Sequence, residues 1–101
     1  MVEYVKVASL AELPPGSGRS VQVSGKAVAL FNVDGQVYAI DGTCLHHGGP
    51  LGEGVLESDV VTCPWHLWEY NVRTGEFLAN PAIKVVTYPV QVEGDQIKVA
   101  V

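Results

Sequence analysis

The sequence predicts an all-β fold, and three observations predict it. Short apolar runs recur between turn residues along the chain, and none holds the 3.6-residue period of a long amphipathic helix. Two of the links, Asp34-Gly35 and Gly94-Asp95, are dipeptides whose residues tolerate positive φ and so close tight hairpins. The one helical signal, Ser9-Leu10-Ala11-Glu12, is a capping-box pattern that Pro14 and Pro15 stop within about a turn, so it is a connector. The strands expected are Tyr4–Ala8, Ser20–Val23, Lys26–Val33, Gln36–Ile40, Val60–Cys63, Lys84–Tyr88, Pro89–Glu93 and Gln96–Ala100.

The 101 residues fit one domain, residues 1–101, with no internal repeat, low-complexity tract or linker. With 48% apolar and 17% charged residues, a packed core can form. Eleven acidic against six basic residues leave a net charge of −5, which repels phosphate backbones and anionic lipid, so neither nucleic acid nor a membrane surface is expected as a partner. Glu3 and Lys6 interrupt the apolar start, which therefore lacks the pattern of a signal peptide. The longest uncharged stretch, Gly42–Gly52, is far shorter than the roughly 18 apolar residues of a spanning helix. A cytoplasmic location is the expectation, and there a lone pair of cysteines, Cys44 and Cys63, is more often a metal site than a disulfide.

Two loops depart from strand grammar, at about 41–54 and 63–70. Asp41–Gly54 packs five glycines, two histidines and a cysteine into a stretch expected to be neither strand nor helix. Within it stands Cys44-Leu45-His46, and after sixteen intervening residues comes Cys63-Pro64-Trp65-His66, so each loop offers one thiolate and one imidazole. That donor set suits zinc, cuprous copper or an iron-sulfur cluster. A zinc finger ordinarily keeps its cysteines together and its histidines together; a mixed C-x-H and C-x-x-H spacing is that of a Rieske centre.

The stretch from Cys44 to Phe77 is similar to the cluster-binding segment of Rieske-type 2Fe-2S ferredoxins, the electron-transfer components of bacterial ring-hydroxylating oxygenase systems. The resemblance extends to the Gly48–Leu51 turn, the Val72–Gly75 turn, an Asn80-Pro81-Ala82 segment like the family's proline loop, and the closing hairpin. It implies an antiparallel β-sandwich with a small cluster-binding subdomain and one 2Fe-2S cluster. Cys44 and Cys63 would hold the buried iron, and His46 and His66 the outer one. It further implies a monomeric one-electron carrier, itself no enzyme, between an NAD(P)H-dependent flavin reductase and a terminal oxygenase. The small subunit of an assimilatory nitrite reductase is the alternative within that class, and a zinc-stabilised interaction module the alternative outside it.

His47 falls outside the ligand spacing and is expected to be an exposed neighbour. With His46 and His66 committed, it stands alone, so two histidines and a carboxylate for a mononuclear oxygenase iron are lacking. Trp65 and Trp68 flank a ligand and are candidates for shielding it, and Tyr4, Phe31, Tyr38, Phe77 and Tyr88 are expected to pack. The acidic residues Glu53, Glu57 and Asp59 lie between the ligand pairs in sequence and are candidates for partner choice. Compared with respiratory Rieske proteins, Gly49 and Trp65 replace two additional cysteines and Trp68 replaces a serine, while Tyr70 keeps a tyrosine that donates to sulfur. The resemblance therefore implies a potential toward the low end of the Rieske range of about −150 to +300 mV.

Overall fold

The computed structural model describes residues 4–43, 49–65 and 67–100. Its strands are β1 (Tyr4–Ser9), β2 (Gly18–Val23), β3 (Lys26–Val33), β4 (Gln36–Asp41), β5 (Val55–Glu57), β6 (Val60–Thr62), β7 (Glu69–Asn71), β8 (Glu76–Phe77), β9 (Asn80–Lys84), β10 (Thr87–Tyr88), β11 (Val90–Glu93) and β12 (Gln96–Ala100). They form three antiparallel sheets with the orders β1-β12-β11, β10-β4-β3-β2 and β5-β6-β7-β8-β9.

The middle sheet is buried on both faces, and the period-2 alternation of side chains decides which residue goes where. Val28 and Leu30 of β3 join Val37 and Ala39 of β4 in a core with Ala8, Leu13, Val23, Ile97 and Val99. Their neighbours Ala29, Phe31, Val33 and Ile40 point the other way, into a second core with Leu51, Val61, Cys63, Tyr70, Val72 and Val85. The first core is the sandwich interior; the second joins the sandwich to the five-stranded subdomain. Every residue of β3 from Val28 to Val33 is consequently buried.

Turn chemistry follows the sequence closely. Asp34 and Gly35 both take positive φ, of 51° and 92°, as a type I′ hairpin requires. Glu12 Oε1 accepts the backbone N–H of Ser9 at 3.0 Å, and this caps a single 3-10 turn over Leu10–Glu12. The Glu12 carboxyl is held below the usual carboxylate range by that backbone bond, then by the Ser9 hydroxyl and the Arg19 guanidinium.

Four expectations are corrected. Lys84–Tyr88 is not one strand: Lys84 ends β9, Val85 turns into the core with its N–H on Gly75 O at 2.9 Å, and Thr87–Tyr88 pairs with β4. Two adjacent valines, Val85 buried and Val86 56% exposed, mark where the chain changes sheets. The glycine-rich stretch 41–54 is partly regular, with a Thr43–Pro50 bridge and a 3-10 turn over Leu51–Glu53. The second loop is shorter than 63–70, because β7 already begins at Glu69. Tyr4, expected to pack, is exposed at the rim of its sheet.

Candidate functional site

Of the four sequence-predicted ligands, Cys63 lies within the described residues; Cys44, His46 and His66 lie outside them, as does the neighbour His47. Cys63 follows the last residue of β6 and is fully buried in the core shared with the middle sheet. Its N–H donates to Trp68 O at 2.7 Å, closing the β6–β7 hairpin beyond the Thr62–Glu69 pair. Its carbonyl accepts the N–H of Leu67 at 3.0 Å. Leu67 itself lies in the left-handed region, with φ of 59°.

The first loop is rooted from both ends. Thr43 pairs with Pro50, Leu51 N–H donates to Gly42 O at 2.9 Å, and Gly42 N–H donates to Ala27 O at 2.9 Å. Asp41 Oδ1 accepts the N–H of Thr43 at 3.0 Å. The segment 44–48 is thus bracketed by backbone that hangs directly on β3.

The two loops meet at Gly49 and Cys63. A Cβ placed on Gly49 would stand 2.8 Å from Cys63 Sγ and 3.1 Å from Trp65 Cγ, closer than non-bonded atoms tolerate. Only a glycine lets the backbone come so near the sulfur. A buried soft donor, approached by the end of the loop that carries the other thiol and imidazole in sequence, is what a site for a thiolate- and imidazole-held cluster needs. The residues present therefore fit such a group. Among the described residues alone no three metal-binding side chains cluster.

Aromatic rings buttress the second loop from below. The Trp68 indole stacks on Phe77 with centroids 4.1 Å apart and planes 10° apart, and Tyr70, fully buried, lies 5.6 Å from Phe77. Trp65 behaves differently, since its ring is 58% exposed while one edge lies over Gly49. Phe77 thus packs as expected, Trp68 stacks on it beneath the second loop, and Trp65 is a surface residue next to the site.

The acidic residues divide by position. Glu57 pairs with Val60 at the turn end of the β5–β6 hairpin, the end away from Cys63. Asp59 at that turn is engaged: its Oδ2 lies 3.4 Å from Arg73 Nε and accepts a bond from Asn71 Nδ2 at 3.4 Å. Glu69, which sequence reasoning passed over, pairs with Thr62 beside Cys63 and is exposed. Two signals were available for it: it directly follows the candidate loop, and it is charged.

Residues 3–89 match the Rieske [2Fe-2S] domain. The ferredoxin component of the naphthalene 1,2-dioxygenase system of Pseudomonas aeruginosa is 35% identical over 98 residues, covering 96% of this chain and 94% of that one. A chain in a solved complex of reduced oxygenase and oxidised ferredoxin of carbazole 1,9a-dioxygenase superposes with a TM-score of 0.87 at 33% identity, covering 96% of this chain and 92% of its own length. An NADH-dependent nitrite reductase small subunit from Mycobacterium tuberculosis superposes with a TM-score of 0.90 at 26% identity, covering 100% and 96%.

Proposed function

Because the chain belongs to the Rieske [2Fe-2S] domain family, we propose that it is the one-electron carrier of a multicomponent oxygenase system, taking electrons from an NAD(P)H-dependent flavin reductase and delivering them to a terminal oxygenase. It is no enzyme by itself. The carrier acts in the cytoplasm as a monomer, as one domain over residues 1–101. Among the described residues no helix is long and apolar enough to cross a membrane.

Cys44 and Cys63 hold one iron of a single 2Fe-2S cluster, and His46 and His66 hold the other. When bound, that cluster supplies a reversible one-electron couple. The observation that carries this assignment is the approach of Gly49 to the buried Cys63 sulfur, which brings the first loop's end to the second loop's ligand. The chain's other residues exclude water and fix the loops: the Trp68–Phe77 stack and Tyr70 close the underside, and the hairpin bonds of Cys63 hold its backbone. With an indole at Trp68, no hydroxyl is offered to a cluster sulfur from that position, which favours a low-potential carrier.

The fold likeness does not separate this reading from a nitrite reductase small subunit, because both share the domain. The identities, 33–35% to the dioxygenase ferredoxins against 26% to the small subunit, favour the former.

The test is made on the purified protein and four variants. The wild type is expected to be reddish-brown with equal iron and labile sulfide; a colourless zinc protein would sink the reading. Cys44→Ser, Cys63→Ser, His46→Ala and His66→Ala should each lose most of the iron, and His47→Ala should keep it with an unchanged spectrum. Cluster loss in His47→Ala together with retention in His46→Ala would show that the register in the first loop is wrong.

A further inference from the structure

Strand β10 pairs with β4 over only Thr87 and Tyr88, which stand opposite Ile40 and Ala39, and just before them Asp41 N–H donates to Val86 O at 2.8 Å. Pro89 then brings no N–H to continue the ladder, and Val90 is already paired with Val99 in another sheet. Main-chain groups alternate sides along a strand, so Val37 faces the same edge as Ala39 and Asp41, and among the described residues no strand pairs with it there. Where β4 and β11 diverge lies a groove of about 430 Å³, with Val37, Tyr38, Val72, Arg73, Tyr88 and Val90 in its wall. The Arg73 guanidinium stands 5.3 Å over the Tyr38 ring, half exposed, with its Nε 3.4 Å from Asp59 Oδ2. The described residues that line the groove include no acid and none from the segments 44–49 and 63–68.

We propose that this groove binds a small carboxylate with an apolar body, its charge held by the Arg73 guanidinium and an oxygen by the Val37 N–H. Val37 is 5% exposed, so its amide is nearly withdrawn from water, and a buried N–H without an acceptor calls for one. A guanidinium fork matches the two oxygens of a carboxylate, and its seat over Tyr38 restricts the side chain before any ligand arrives. The charge accepted is that of a monoanion: one cation lines the groove, and Asp59 already draws on its field, so a dianionic phosphate is poorly matched. The body is apolar because Val37, Val72, Val90 and the rings of Tyr38 and Tyr88 form much of the remaining wall. The volume falls within the range of small-molecule sites, roughly 300 to 1,000 Å³. This site goes beyond the electron-carrier reading, since it lies apart from the loops that bear the proposed cluster ligands.

The experiment titrates purified full-length protein with benzoate by calorimetry at constant ionic strength. One benzoate per chain should bind with saturation. Benzamide, which lacks the charge, should bind about tenfold more weakly, and acetate, which lacks the ring, should also bind more weakly. Arg73→Gln should weaken benzoate about tenfold and leave benzamide unchanged. Asp59→Asn keeps the cation but removes its competing carboxylate, so it should tighten benzoate about threefold, a gain that loss of structure does not produce. Lys84→Gln removes an exposed cation that does not line the groove and should match the wild type. The proposal is overturned by absence of saturable benzoate binding, by wild-type affinity in Arg73→Gln, or by weaker binding in Asp59→Asn. Equal weakening in Arg73→Gln and Lys84→Gln overturns it too, because attraction to the chain's cations in general would then explain the signal. Each of these results leaves the carrier reading standing, since that reading is tested on iron and sulfide content.

Discussion

One added methyl group at Gly49 tests whether the two loops meet as described. The Cβ of Gly49→Ala would stand 2.8 Å from Cys63 Sγ and 3.1 and 3.2 Å from two ring carbons of Trp65. Carbon atoms in ordinary contact lie about 3.5 to 4.0 Å apart, so the sulfur contact must open by at least about 0.7 Å. Trp65 is more than half exposed and can swing aside; Cys63 is fully buried, with its N–H bonded to Trp68 and its carbonyl to Leu67. The sulfur contact therefore decides the outcome. Overpacking of this kind costs about 1 to 3 kcal/mol, and each kcal/mol lowers Tm by roughly 4 to 8 °C in a domain near this size. Thermal unfolding and iron and sulfide per chain are the assays, and both values should fall. Adding Trp65→Ala should restore neither, because the indole is not what blocks the methyl group. A Gly49→Ala protein with wild-type Tm and a full complement of iron would refute the proposed approach of the first loop to Cys63.

Two further outcomes follow from groups away from the loops. Asn32 is buried, donating from Nδ2 to Leu13 O at 2.8 Å and accepting from Gly35 N–H at 2.8 Å; Asn32→Ala leaves the Leu13 carbonyl unpaired and should cost about 1 to 3 kcal/mol, read as a lower urea midpoint with an unchanged m-value. The Tyr88 phenol is pushed above its ordinary 10.0, first by burial and then by the Asp41 carboxylate. The fold favours the protonated phenol, so this contribution is complete below about pH 10 and is lost as pH rises through the raised value. Tyr88→Phe should flatten the loss of stability on the alkaline side, and an alkaline unfolding curve identical to wild type would refute it. Leu67 holds a left-handed φ of 59°, so in Leu67→Gly the relief of about 1 to 3 kcal/mol of strain should outweigh the added unfolded-state freedom of about 0.4 to 1 kcal/mol; Tm should hold or rise, and a clear fall in thermal unfolding would refute the strain.

What the sequence makes legible follows from how local the cause is. Strands β3 and β4 and the Asp34-Gly35 turn could be read directly, because residue types alone dictate them: β-branched and apolar runs on either side of a dipeptide that accepts positive φ. The short strands β5, β7 and β8 could not, because two or three residues such as Glu69-Tyr70-Asn71 carry no periodicity and become strands only when β6 lies beside them. The change of sheet at Val85-Val86 was hidden for the same reason: VVT reads as continuous strand until Gly75, which at φ 79° admits no side chain against the Val85 carbonyl, draws Val85 inward. At the site, the ligand spacing identified chemistry that the fold then accommodates around Cys63. The backbone of Leu67 was invisible to it, since a leucine after Cys-Pro-Trp-His gives no sign of left-handed conformation.

The middle sheet explains how the proposed cluster site could be carried by loops this rich in glycine. Flexible loops hold a ligand geometry only when their ends are fixed to rigid elements. Here the first loop hangs from β3 and β4 through Gly42, Thr43 and Leu51, and the second is closed by the bond between Cys63 and Trp68, which directly follow β6 and precede β7. What joins those two anchorages is a single apolar core in which Phe31 and Ile40 of the middle sheet pack with Leu51 of the first loop and with Val61, Cys63 and Tyr70 of the second. The packing at Phe31 is tight enough that a Cβ on Gly18 would lie 2.7 Å from its ring. Because the opposite face of the same sheet is occupied by the sandwich core, β3 cannot shift toward either side without opening a cavity in one core or crowding the other. The relative position of the loops is therefore set by a sheet clamped between two packed layers, and the glycines remain free to shape the backbone around the sulfur.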